Sequence, residues 1–303
     1  MIPHCFNPLK DDEYLQMDQA SKGWLNGLIG VVIFAGSLPA TRIGVLGFTP
    51  EFLTTSRAVI AGIIALILLI IFRQLKPNFQ QFKALIIVAL GVVIGFPLFT
   101  ALALQTVSSS HAIIFVGLLP LSTAIFAVLR GGEKPSSQFW LFAVLGSCLV
   151  IIFMFFENKS LSLTLGDFYM LAAILVCGLG YAEGGKLSSE LGGWQVICWA
   201  LVIALPIMLF GSVYYFPAHY SNMSIAPILA LIYVSLFSML IGFVFWYKGL
   251  ALGGIAKVGQ IQLVQPFIGL LLSAVLLGEH ISPAMILVSI AVVACVVMAK
   301  KFA

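Results

Sequence analysis

Residues 103–133 and 249–279 of this 303-residue chain align without a gap at an offset of 146. Each copy carries a proline, Pro120 or Pro266, midway along an apolar stretch, and each ends in a Gly-Glu pair, Gly132-Glu133 or Gly278-Glu279, with the glutamate thirteen residues past the proline. Two punctuation marks kept in register over that distance predict two related halves, copies of one folding unit set around a common centre.

The units belong in a membrane. Sixty-one per cent of the residues are hydrophobic, only 9% are charged, and the mean hydropathy is +1.14, outside the range of soluble domains. Ten segments, at 24–44, 50–72, 83–105, 109–130, 137–156, 165–187, 195–216, 225–248, 257–278 and 282–299, are long enough to cross a hydrocarbon core of roughly 30 Å at about 1.5 Å per residue. They are continuous apolar runs rather than the short alternating segments of a barrel, so backbone polar groups must be satisfied within each segment, and helices do that. Five spans precede the loop at 157–164 and five follow it. An odd number per half makes the second copy enter from the opposite face. The expected fold is an all-α polytopic membrane protein of ten transmembrane helices, arranged as two inverted five-helix repeats. The halves are 24–156 and 165–299, after a cytoplasmic N-terminal tail at 1–23. The loops are too short for a soluble catalytic or nucleotide-hydrolysing domain.

Lysine and arginine set the orientation. With the N-terminus inside, the cytoplasmic face holds Lys10, Lys22, Arg73, Lys76, Lys83, Arg130, Lys134, Lys186, Lys248, Lys257, Lys300 and Lys301, whereas the outer face keeps Arg42, Arg57 and Lys159. Twelve against three satisfies the positive-inside rule, with both termini cytoplasmic. The net charge of +4 therefore reflects topology and not affinity for nucleic acid. The tail carries Asp11, Asp12, Glu13 and Asp18 and lacks the cationic start of a cleaved signal peptide, so the first span is expected to be retained. Cys5, Cys148, Cys177, Cys198 and Cys295 show no C-x-x-C spacing and read as small hydrophobes rather than as disulfide or metal ligands.

The segments "ALQTVSSSHAIIFVGLLPLSTAIFAVLRGGE" and "GLALGGIAKVGQIQLVQPFIGLLLSAVLLGE", with Gly36-Ser37 in the first span and Arg57 early in the second, carry a resemblance. On these residues the chain is similar to the EamA family of the drug/metabolite transporter superfamily, across roughly 24–299. Where such proteins often have Trp directly before the first-span glycine, this sequence reads Phe34-Ala35-Gly36. The resemblance implies a ten-helix carrier that moves small organic solutes by alternating access, commonly outward, without cofactor or metal and without enzymatic chemistry. Its partners are a small-molecule substrate and the lipid bilayer, with a homo-oligomer left open and nucleic acid excluded. The cell (inner) membrane of a bacterium is the expected location.

Individual residues sharpen this. Pro120 and Pro266 each remove a helical donor, predicting kinks that free the carbonyls of Val116 and Gln262 for a hinge or a cavity. Glu133 and Glu279 precede the next helices, beside Pro135 and Ser282-Pro283, where negative charge complements the helix dipole. Arg57 lies seven residues into its span, about 10 Å deep by helical rise. It either snorkels outward or faces the bundle and anchors an anion such as a carboxylate. Gln262 and Gln265 share a helical face that must look inward, with Gln260 pointing roughly opposite Gln262. Phe243, Trp246, Tyr247 and Tyr181 offer an aromatic wall for apolar, aromatic or quaternary-ammonium solutes. His111 starts the fourth span near the outer surface. Of the acidic residues only Glu183 lies well inside a span, with Lys186 as its expected partner, which predicts facilitated movement or at most weak proton coupling. Gly180–Lys186 has the spacing of a phosphate loop, but Leu187 replaces the Ser/Thr and no strand precedes it. No Ser/His, paired-Asp or H-E-x-x-H constellation lies within the spans, which argues against an intramembrane enzyme.

Overall fold

The structure, a computed structural model, describes residues 8–158, 164–217, 224–277 and 283–302, and among these there is no β-strand. Helix α1 covers 8–44 as Pro8–Ala35 and Ser37–Gly44, interrupted at Gly36. Helix α2, Pro50–Ile71, starts where the Thr49 hydroxyl accepts the Phe52 N–H at 3.2 Å and Pro50 presets the first turn. Helix α3, Phe79–Thr106, opens on a reciprocal Asn78/Gln81 capping box and widens to a π-helix over Ala89–Gly95. Helix α4 is split into Ser109–Val116 and Leu119–Leu129, and α5 is Ser137–Asn158.

The second half follows the same plan. Helix α6 is Leu165–Leu191 and α7 is Gly193–Tyr214. Helix α8, Ile225–Gly253, contains a second π segment at Val234–Ile241. Helix α9 runs as Ile255–Gly259, a 3₁₀ turn at Gln260–Val264, and Gln265–Leu277; α10 is Pro283–Phe302. Among the described residues, seven stretches are long and apolar enough to cross a membrane, in α1, α2, α3, α6, α7, α8 and α9, while Leu119–Leu129 and Ser137–Phe153 are shorter apolar helices.

Two readings are corrected. The polar tail joins α1, because Lys, Glu, Leu, Gln and Met between Pro8 and Lys22 are good helix formers that extend the helix beyond its apolar part. Instead of kinking a continuous helix, Pro120 is the second residue of a new helical piece after the break at 117–118, where the missing N–H lacks an intrahelical acceptor anyway; at Pro266 the helix continues, distorted to a 3₁₀ turn over Gln260–Val264 directly before Gln265-Pro266. The phosphate-loop spacing at 180–186, already set aside on the sequence, lies wholly inside α6.

Packing runs in pairs: α1 along α8, α3 along α6, α2 along α7, α5 along α10, and the later half of α4 against the start of α9. Lipid tails are as apolar as leucine, so the force between such helices is close packing rather than the hydrophobic effect. Small residues supply it. A Cβ on Gly249 would stand 2.6 Å from the Gly27 nitrogen, and one on Gly91 would stand 2.5 Å from the Val176 carbonyl oxygen. Backbones thus touch in both the α1/α8 and the α3/α6 pairs. Gly254, at φ +87°, makes the one-residue turn from α8 into α9. Outward-facing Ile70, Ile71, Phe210, Val213, Leu287 and Ile290 suit a hydrocarbon surround.

Candidate substrate pathway

The helix interruptions position the polar interior. Gly36 breaks α1 beside α8, where a Cβ would meet Tyr233 Oη at 2.4 Å; that hydroxyl donates to the Ile33 carbonyl at 2.7 Å. Ser37 begins the next helical piece, and its hydroxyl lies 2.7 Å from that of Ser238, inside the π segment of α8. Arg57 of α2 completes the group, donating from Nη2 to Ser238 Oγ at 3.2 Å. Only 4% of Arg57 is exposed, so it faces the bundle. Its Nε has no hydrogen-bond partner, and no carboxylate among the described residues pairs with it. A desolvated cation paired with a hydroxyl rather than a carboxylate is costly, by several kcal/mol even after relaxation.

Next to it lies an aromatic cluster packed in the core. Phe34 of α1 stands 4.9 Å from Phe243 and 6.2 Å from Trp246, ring centre to ring centre, and stacks on Tyr181 at 6.4 Å. Tyr181 meets Phe243 and Trp246 at 5.9 and 5.3 Å, and Tyr247 meets Phe243 at 5.3 Å. These are tilted, edge and offset contacts of the kind aromatic quadrupoles prefer. Tyr247 donates to the Gly180 carbonyl at 3.1 Å, whereas the buried Trp246 Nε1 has no partner. All four aromatics singled out in the sequence meet here, joined by Phe34 of the Phe34-Ala35-Gly36 stretch.

Gln262 and Gln265 point inward, at 0% and 8% exposure, and Gln260 is equally enclosed at 0%. The 3₁₀ turn over Gln260–Val264 alters the angular spacing of an α-helix, so a position expected to point away is interior as well. The amide oxygens of all three lack hydrogen-bond partners. His111 belongs to the first piece of α4, its side chain outside what the structure describes, as is the whole of Glu279.

Polar contacts tie the helices together at the end bearing the α3 N-terminus. Glu133 does cap a helix, but a distant one: its carboxylate accepts the N–H groups of Ile255 and Ala256 at 2.6 and 2.8 Å, holding the start of α9. Glu183 pairs with Arg130 of α4, not with Lys186. A neighbouring helix presents its guanidinium directly, and Lys186 Nζ instead donates to the Arg130 carbonyl at 3.2 Å. Gln81 Nε2 reaches Glu190 at 3.2 Å. Between these groups lies a cavity of about 260 Å³, lined by Lys83, Arg130, Glu183, Lys186 and Glu190 among others. Cys177, Cys198 and Cys295 are buried free thiols and Cys148 faces outward.

Ser37, Ser238 and Arg130 are the polar partners that sequence reasoning missed. Gly36-Ser37 carried a faint signal as a small polar pair in an apolar span, but Ser238 and Arg130 become recognisable only across helices.

Apolar helices interrupted around an enclosed polar and aromatic interior define a class, that of polytopic membrane transporters. The chain belongs to the EamA-like transporter family, whose model matches it twice, at residues 21–156 and 164–299. It is 59% identical over 287 residues to the uncharacterized transporter YdeK of Bacillus subtilis (strain 168), covering 95% of this chain and all of that one. A more distant relative is the uncharacterized transporter YyaM of the same strain, at 24% identity over 81% of this chain and 83% of its own length. A solved crystal structure superposes with a TM-score of 0.74 at 16% identity, over 93% of this chain and 97% of that one, and so shares the fold.

Proposed function

We propose that this protein is a secondary transporter exporting small organic metabolites, foremost amino acids or similar compounds, across the bacterial cell (inner) membrane. Ten helices form two inverted five-helix repeats, 24–156 and 165–299, and alternate access to a site between them. The carrying observation is the recurrence of helix irregularities at the repeat offset. The π segment Ala89–Gly95 maps one residue from Val234–Ile241, and the two-piece α4 maps onto the distorted α9, with Pro120 falling on Pro266. The pairing pattern supports the same reading, because exchanging the halves converts the α1/α8 pair into α6/α3 and returns the α2/α7, α4/α9 and α5/α10 pairs to themselves. Interrupted helices in matched positions are where such carriers bind and rock.

Purified protein in liposomes loaded with radiolabelled amino acids is expected to release them faster than protein-free liposomes, without an imposed pH gradient. No release above that background for any amino acid would remove the reading in this form. Inward flux alone in right-side-out vesicles would favour import of a small polar or cationic nutrient on the same fold. Solute binding without flux would favour a receptor or scaffold.

A further inference from the structure

We infer that Arg57, Ser238 and Ser37 form the binding site for the carboxylate of the transported solute, and that the adjoining aromatic cluster packs against its apolar body. The inference deepens the transporter reading and rests on it. Three independent irregularities converge at this point: the break of α1 at Gly36, the π segment of α8 and a fully enclosed arginine on α2. A guanidinium at that depth is retained against a steep desolvation penalty, yet among the described residues it donates to the Ser238 hydroxyl and keeps Nε unpaired. Its remaining donors have the planar geometry that grips a carboxylate through two parallel hydrogen bonds.

The second half of the site follows from helix spacing. Phe34 precedes Ser37 by three residues on α1, about 4.5 Å of helical rise, and Phe243 follows Ser238 by five on α8, just past the end of the π segment. The aromatic cluster therefore begins within two helical turns of the anion anchor on both helices. The unpaired indole N–H of Trp246 supplies a donor inside it. That combination selects a monocarboxylate with an apolar or aromatic body over a neutral amide, an amine or a short hydrophilic acid.

The test follows thermal unfolding of the purified full-length protein in detergent with benzoate, benzamide, benzylamine and acetate, each against chloride at equal ionic strength. Benzoate should raise the unfolding temperature of the wild type by several degrees, acetate by less, and benzamide and benzylamine not at all. Arg57→Gln should abolish the benzoate response and Arg57→Lys should weaken it at least tenfold in concentration dependence, since an ammonium cannot bond in parallel. If Arg57→Gln does not purify, Ser238→Ala, which removes the hydroxyl orienting the guanidinium, should shift the benzoate dependence several-fold. Benzoate quenching of Trp246 fluorescence, taken as the difference from Trp246→Phe, should follow the same series. No benzoate response, an equal response to benzamide, or a variant series indistinguishable from the wild type overturns the site. Flux of neutral or cationic solutes that survives Arg57→Gln would leave the transporter standing without this site, whereas benzoate binding with no solute flux would leave the site without the transporter.

Discussion

Glu133 shows how one side chain can serve both halves of a duplicated chain. Its charge was expected to favour the nearest helix start, at α5, but the folded chain brings the α9 N-terminus closer, with two backbone N–H groups aimed at the carboxylate. Those donors have no intrahelical acceptor, and a negative charge on them is stabilising by roughly 0.5–2 kcal/mol. Glu133→Ala should therefore lower the unfolding temperature in detergent, and Glu133→Gln, which keeps one acceptor oxygen and loses the charge, should lower it less. Equal stability of both variants to the wild type would show that water satisfies the α9 terminus as well as the carboxylate does.

At the scale of elements, α4 is broken at 117–118 with Pro120 in the first turn of its second piece, and α9 passes through a 3₁₀ turn at Gln260–Val264 directly before Gln265-Pro266. A proline in a first turn costs the helix nothing in hydrogen bonds and gives its fixed φ to the turn that restarts. Pro120→Ala and Pro266→Ala should thus leave expression and stability nearly unchanged, within about 1 kcal/mol. If the breaks are where the halves rock, transport by each variant should slow and the carrier should dwell on one face, readable as asymmetric cysteine labelling. Wild-type rates in both would reduce the breaks to packing devices.

For the whole molecule, the lysine distribution predicts the frame. Cysteines at positions 76 and 301 should be labelled only from the cytoplasm and a cysteine at 158 only from outside; labelling of Lys76→Cys on intact cells would invert the arrangement. Energy coupling belongs to this scale too. Glu183 lies in an ion pair with Arg130, whose own side chain is half exposed, and exposed partners contribute little once screened. Glu183→Gln should keep most of the flux from loaded liposomes. Flux that demands a proton gradient and vanishes with that substitution would make Glu183 the coupling group.

The sequence alone determined that the chain is helical and made for a membrane, and that an irregularity recurs in both halves. Hydropathy is a local, one-dimensional property, and a proline or glycine interrupts a helix wherever the chain goes next. Even there a local rule was read too simply: a proline predicted to kink a helix instead began one. Which side chains share the interior was decided only by tertiary structure. Arg57 meets a serine 181 positions away, Glu133 caps a helix 122 positions away, and Glu183 pairs with an arginine 53 positions away rather than with the lysine one turn along its own helix. Spacing along a sequence cannot rank such partners, because the low dielectric within the bundle makes each buried polar group select from everything the packed helices bring near, and glycine-lined backbone contact sets what is near.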